Sequence, residues 1–269
     1  MDDSLDSDGK KLRQLILTTV QSAGRGHIGP AFSILEILRA LYGHVLIKAP
    51  LQPKNLERDV FILSKGHGVL ALYVVLAEQG YFDKKELKEF CKFESRLGGH
   101  PESGSLPGIE FSTGSLGHGL PVGVGIALAA KLSSLDQKRI YILVGDGELN
   151  EGSNWESMLH ATKHKLNNLC LIVDYNKMQA FGHSSDVLPM FELGMKLSAF
   201  GFTVEEVSGH SIKDLTNILD FPVLGDKPRA VIAHTVKGKG INKLENSKEW
   251  HHKAKIQALE ILELLESIK

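Results

Sequence analysis

Two short apolar runs, at 139–144 and 169–173, each break off into oxygen-bearing side chains, with a stretch of helical character between them. The first run ends in Gly145-Asp146-Gly147, the second in Asp174-Tyr175-Asn176. Apolar runs of this length bounded by turn residues read as buried strands. In a parallel sheet their carboxyl ends lie side by side, at the edge where α/β folds take their ligands. A carboxylate and an amide oxygen placed there can share one hard divalent cation such as Mg²⁺, which usually also takes phosphate oxygens. Gly147 lets backbone come close to a phosphate, and a helix beginning near Glu151 offers free N–H groups. The chemistry suggested is a metal-bridged diphosphate. For the tripeptide alone, a plain strand-to-helix turn is the bland alternative.

The rest of the chain repeats the alternation. Helical spacing is predicted over 11–22, from Ala31 to about Gly43, over 69–79, over 120–132, in a segment ending near Phe200, over 211–219 and, amphipathically, over 253–268. A short helix opens at Asp83, a good N-cap. Strands are predicted at 60–64, 202–207 and 229–235 as well as at the two runs above. Strands alternating with helices imply an α/β fold, a doubly wound, mostly parallel sheet with helices on both faces. The segment 120–132 is rich in small residues and can pack closely under such a sheet. With no repeat, low-complexity tract or linker, residues 1–269 are expected to form a single domain.

Bulk properties exclude several classes. The apolar fraction is 42%, the charged fraction 23% and the net charge −1, so nothing steers the chain toward nucleic acid or an anionic membrane. No apolar run approaches a bilayer-spanning length, and the acidic, polar amino terminus is not a signal peptide. The two cysteines, Cys91 and Cys170, are far apart and sit in no C-x-x-C pattern. Cys170 lies in an apolar strand as an expected buried thiol, which fits a reducing, cytoplasmic setting.

Four loops carry histidines: Gly26-His27-Ile28-Gly29-Pro30, expected to be non-helical; Lys65-Gly66-His67-Gly68 at a strand end; Gly98-Gly99-His100-Pro101-Glu102; and Trp250-His251-His252. Imidazole beside glycine permits close ligand approach and can donate or accept. A turn histidine bonding a neighbouring carbonyl is the plain alternative for any one of them. Zinc is disfavoured at these loops, because none of the four has H-x-x-x-H or C-x-x-C spacing.

The segment from Gly145 to Asn176 resembles the thiamine diphosphate fingerprint, G-D-G followed about thirty residues later by Asn. The likeness extends to the amino-terminal half of transketolase. GRGHIGPAFSILEIL, FILSKGHGVLALY, GGHPE, FSTGSLGHGLPVGVGIALA and TVKGKG followed by EWH resemble that family's motifs, in the same order. The resemblance implies that Asp146 and Asn176 bind Mg²⁺ (or another divalent cation such as Ca²⁺ or Mn²⁺) by side chain and Met178 by its carbonyl. It implies that Gly145 and Gly147 face the diphosphate, and that His67 and His251 contact it. Gly114, Ser115 and Leu116 would line the cofactor rings. His27, His67, His100 and His251 would be the catalytic histidines. Glu151 and Glu156 would link two active sites across a subunit contact; their plain alternative is favourable acidic charge in a helix first turn. The chain departs from the family at His118, where Gln is more usual, and at Ser115, where Pro is usual.

The same resemblance implies something missing. The cofactor needs a carboxylate at its aminopyrimidine, and in transketolase that glutamate belongs to a second domain, which nothing here resembles. The expectation is therefore an amino-terminal subunit of a split transketolase. Its partner chain would carry the pyrimidine-binding domain and the activating glutamate, in an α2β2 heterotetramer acting on sugar phosphates. Two alternatives stand beside two-carbon ketol transfer from a ketose to an aldose. One keeps the cofactor but serves a specialised pathway or a 2-oxo acid decarboxylation. The other is a non-catalytic regulatory subunit with the fold retained.

Overall fold

The computed structural model describes residues 5–50, 52, 55–135 and 137–268; the first four residues of the acidic amino terminus lie outside them. Among the described residues, the elements run α1 (Ser7–Ala23), α2 (Ile28–Ala40), β1 (Val60–Leu63), α3 (Val69–Glu78), α4 (Gly119–Leu132), β2 (Ile140–Gly145), α5 (Gly152–Lys163), β3 (Leu169–Tyr175), α6 (Ser184–Val187), α7 (Leu193–Ala199), β4 (Thr203–Ser208), α8 (Ile212–Leu219), β5 (Arg229–His234) and α9 (Ala258–Glu266). The strands form one sheet in the order β1-β2-β3-β5-β4, every pair parallel.

Alternation along the strands builds two cores, one on each face. Phe61, Leu63, Tyr141, Leu143, Cys170 and Ile172 face α1, α2, α3, α8 and α9. Ile62, Ile142, Val144, Leu171 and Val173 face α4, α5 and α7. The small residues of α4 do pack closely: a Cβ at Gly123 would stand 2.5 Å from Ile142 Cγ1. No helix among the described residues is long and apolar enough to cross a membrane.

Three segments differ from expectation. Helix α2 begins at Ile28, so Gly29 and Pro30 lie within its first turn; proline is tolerated there because first-turn N–H groups have no intrahelical partner. Beyond Ala40 the chain passes into a π-helical turn, Leu41–Val45, before it leaves the helix. At the carboxyl end only Ala258–Glu266 is helical. Residues 253–257 are used elsewhere: Lys253 exchanges backbone hydrogen bonds with Gly26 at 3.1 and 3.2 Å, and Ile256 N–H donates to the Gly24 carbonyl. Gln257 then starts the helix through a capping box with Glu260. The carboxyl-terminal segment is thereby tied to the first histidine loop.

Candidate cofactor site

The parallel register of β2 and β3 pairs Gly145 with Asp174, so Asp146 and Asn176 emerge at neighbouring strand ends. Asp146 is buried; its Oδ1 accepts from Gly147 N–H at 2.7 Å, and its Oδ2 from Lys177 N–H at 2.6 Å and Ser184 Oγ at 3.2 Å. Burial, then the nearby Asp174 charge, raises the Asp146 pKa above the ordinary carboxylate range. Asn176 Oδ1 accepts from Met178 N–H at 3.0 Å, while its Nδ2 donates to Asp174 Oδ2 at 2.8 Å. Asp174 is fully buried and also accepts from Ser33 Oγ at 2.8 Å, from Thr235 and from the Lys65 ammonium. One carboxylate thus joins α2 and β3 to the segments that follow β1 and β5, beneath the strand ends.

Above it lies a cavity of about 320 Å³, lined among others by His27, Lys65, His67, His100, Gly114, Leu116, Gly145, Asp146, Gly147, Asn176, Met178, Lys237 and His251. Most residues named from sequence therefore converge. Three do not reach the lining: Ser115 is exposed on its loop, Glu151 is the exposed N-cap of α5, and Glu156 is exposed farther along the same helix. Glycines set the shape of the walls. A Cβ at Gly66 would lie 2.7 Å from Thr113 Oγ1, so the 113–117 loop rests directly on the turn that presents His67. Gly114 has φ +148°, and a Cβ there would lie 3.1 Å from the His100 ring.

The histidines form one cluster. The His27 ring stands 5.7 Å from His67, 5.8 Å from His100, 5.9 Å from His251 and 4.4 Å from His252. Burial, then neighbouring histidine and lysine charges, pushes His27 and His251 down to about 3. Burial together with Lys65 lowers His67, and burial together with His252 lowers His100. His27, His67, His100 and His251 are therefore neutral at physiological pH, each with one donor and one acceptor nitrogen. A second cavity, of about 270 Å³, lies against the same three walls His27, His67 and His100, and is closed by Arg25, Phe90 and His252.

Lys237 and Lys65 bring the positive charge. Buried Lys237 donates to the Met178 carbonyl at 2.9 Å and to His251 Nδ1 at 2.5 Å. The second bond requires a lone pair on Nδ1, which puts the His251 proton on Nε2. Burial, then repulsion from Lys65, lowers Lys237 to about 8. Its hydrogen-bond partners are a carbonyl and a neutral imidazole, so its charge is not neutralised by direct contact.

This arrangement fits a cation-bridged diphosphate. Asp146, Asn176 and the Met178 carbonyl are hard oxygen donors of the kind that could hold a divalent cation. A carbonyl oxygen has two lone pairs, so Met178 can serve Lys237 and a cation together. On the same wall, Gln179 Nε2 is buried without a hydrogen-bond partner, a donor awaiting an acceptor.

Lys65, Asp174, Lys237 and Gln179 were not singled out from sequence. The available signal was a charged residue set just beyond a fully buried strand (Lys65, two residues after β1) or near its end (Asp174 in β3). Such groups are seldom buried unless paired or functional.

Residues 7–267 match the family model described as "Transketolase, thiamine diphosphate binding domain". The chain is 44% identical over 252 residues to a subunit of the apulose-4-phosphate transketolase of Actinobacillus succinogenes, covering 93% of this chain and 91% of that one. It is 36% identical to the 6-deoxy-6-sulfo-D-fructose transketolase subunit SqwG of a Clostridium species, covering 92% and 90%. The solved transketolase of Leishmania mexicana superposes with a TM-score of 0.88 at 28% identity, over 97% of this chain but 40% of that one. The chain thus spans about 40% of the length of that solved relative.

Proposed function

The chain belongs to the transketolase family, matching its thiamine diphosphate-binding domain over residues 7–267, and from that premise we propose that it is the amino-terminal subunit of a two-subunit transketolase. As such it is one half of a transferase, active only with a partner chain that carries the pyrimidine-binding domain and the activating glutamate. Its own residues form one domain, the diphosphate-binding half of the site. The apulose-4-phosphate and 6-deoxy-6-sulfo-D-fructose relatives, matched over about nine-tenths of their length, carry the names of transketolase subunits, which supports the division of labour.

The observation that carries the reading is the buried Lys237 ammonium facing Asp146 and Asn176 across one cavity. Lys237 supplies the charge that a diphosphate would meet, with Lys65 behind it paired to Asp174. Asp146, Asn176 and Met178 would hold the divalent cation against it, and His67 and His251, neutral and fixed, would donate to its oxygens. Thiamine diphosphate, when bound, supplies the carbon nucleophile for two-carbon ketol transfer. His27 and His100 would exchange protons with the ketose hydroxyl and carbonyl, as neutral imidazoles within a walled-off space. The substrates would be sugars bearing an anionic group. The names apulose-4-phosphate and 6-deoxy-6-sulfo-D-fructose on two relatives favour a specialised sugar pathway over the general pentose phosphate one. The cytoplasm is the expected site of action, and α2β2 the expected assembly.

The test is C2-proton exchange of bound thiamine diphosphate, with and without the partner chain, alongside mass in solution. Slow exchange alone and fast exchange in a four-chain complex are expected. Fast exchange and ketol transfer by this chain alone would overturn the divided-site reading.

A further inference from the structure

Lys237 sits in a turn outside the helices and strands, where its carbonyl accepts from Asn246 N–H at 2.8 Å and Lys239 N–H donates to the Val236 carbonyl at 3.1 Å. Two buried side chains grip the turn on either side of it. Before Lys237, the Val236 N–H donates to His210 Nε2 at 2.9 Å; after it, the Lys239 carbonyl accepts from Arg13 Nε at 2.8 Å. Both grips converge on one carboxylate. Glu36 accepts from Arg13 through both oxygens, at 2.7 and 3.0 Å, and from His210 Nδ1 at 2.9 Å. Because His210 Nε2 is an acceptor, its proton is on Nδ1, facing Glu36, and the tautomer is set by its partners at both ends.

The members come from far apart: Arg13 from α1, Glu36 from α2, His210 from the turn after β4. Arg13 is fully buried and lies over the Phe32 ring, and the Glu36 and His210 side chains are almost as inaccessible. Burial opposes the Glu36 charge, but Arg13 and His210 outweigh it and hold Glu36 at about 2. The turn itself has no slack. Gly238 has φ +81°, a Cβ there would collide with the Leu244 carbonyl oxygen, and its N–H donates to the Gly29 carbonyl at 3.1 Å.

We infer that Arg13, Glu36 and His210 form a positioning latch for Lys237: one buried carboxylate aligns two side chains that fix the turn, and so the place where the ammonium meets a diphosphate. None of the three lines the cavity, and they act through Lys237. The inference rests on the diphosphate reading of the cavity.

The test is calorimetry of the full chain with magnesium pyrophosphate as the probe. Lys237→Met and His210→Phe are each expected to weaken binding by about tenfold, the scale of one charged hydrogen bond. The double variant is expected to be no weaker than Lys237→Met alone, because His210 works through the lysine. His210→Gln, whose amide can donate to Glu36 and accept from Val236, is expected to recover most of the affinity. A His210→Phe chain that binds as wild type, or losses that multiply in the double variant, overturn the latch while leaving the diphosphate site standing. If His210→Phe does not fold, His210→Ala, which also lacks a donor and an acceptor, takes its place in the same cycle with the same deciding outcomes. Absence of magnesium-dependent pyrophosphate binding by the wild type removes the diphosphate site, and the latch with it.

Discussion

The Asn176 side-chain amide donates to Asp174 at 2.8 Å, and that bond decides which way the amide faces. With its nitrogen committed to Asp174, its oxygen is turned toward Met178 N–H and the proposed cation position. A buried aspartate that would touch neither cation nor diphosphate thereby orients a proposed ligand, as outer partners do in metal sites generally.

Asp174→Asn is accordingly expected to be among the most disruptive isosteric changes in the chain. It would leave Lys65 buried without its counter-charge, a loss of about 3–5 kcal/mol by analogy with broken buried ion pairs. Urea unfolding monitored by circular dichroism measures this. A midpoint equal to that of wild type would mean that Lys65 readily finds another partner or water.

Acid should destabilise the fold well before the carboxylates titrate. His27 and His251 lie at about 3 in the folded chain against 6.5 when unfolded, so between those values the unfolded chain binds more protons. Their contribution is present above about pH 6.5 and is lost as the pH falls toward 3. Urea midpoints should therefore drop between pH 7 and pH 4.5, and the drop should be shallower in a His27→Gln/His251→Gln variant. Identical pH slopes in the variant and wild type would contradict the burial of these neutral rings.

His27 and His100 should serve the substrate rather than the cofactor. In the two-subunit complex, alanine at either position is expected to depress turnover about a hundredfold or more, the range of a lost acid–base group, or to raise the donor KM. Thiamine diphosphate affinity should stay near normal. Collapse of cofactor affinity with normal turnover at saturating cofactor would reverse the assignment.

The parts of the site that were legible in the sequence are those carried by local pattern. Apolar runs gave the strands, and the residues at their ends gave Asp146 and Asn176, because strand termini in a parallel sheet have one place to go. What stayed hidden depends on contacts remote in sequence. Asp174 meets Ser33, Lys65 and Thr235, which lie 141, 109 and 61 positions away. Lys65 and Lys237 stood within motifs whose histidines and glycines were more conspicuous, and a lysine in a loop ordinarily reads as solvated. The late start of α9 has the same origin: residues 253–257 keep an amphipathic pattern, but backbone bonds to Gly24 and Gly26 hold them extended.

The most direct test is calorimetry of thiamine diphosphate binding, with and without Mg²⁺, by the two-subunit complex containing either wild-type chain or Asp146→Ala. Removing the one carboxylate in the proposed donor set takes away charge that Asn176 and the Met178 carbonyl cannot replace. Mg²⁺-dependent binding is expected for the wild type and its loss for Asp146→Ala, with circular dichroism unchanged. Wild-type affinity in the Asp146→Ala complex would contradict the metal-bridged diphosphate site.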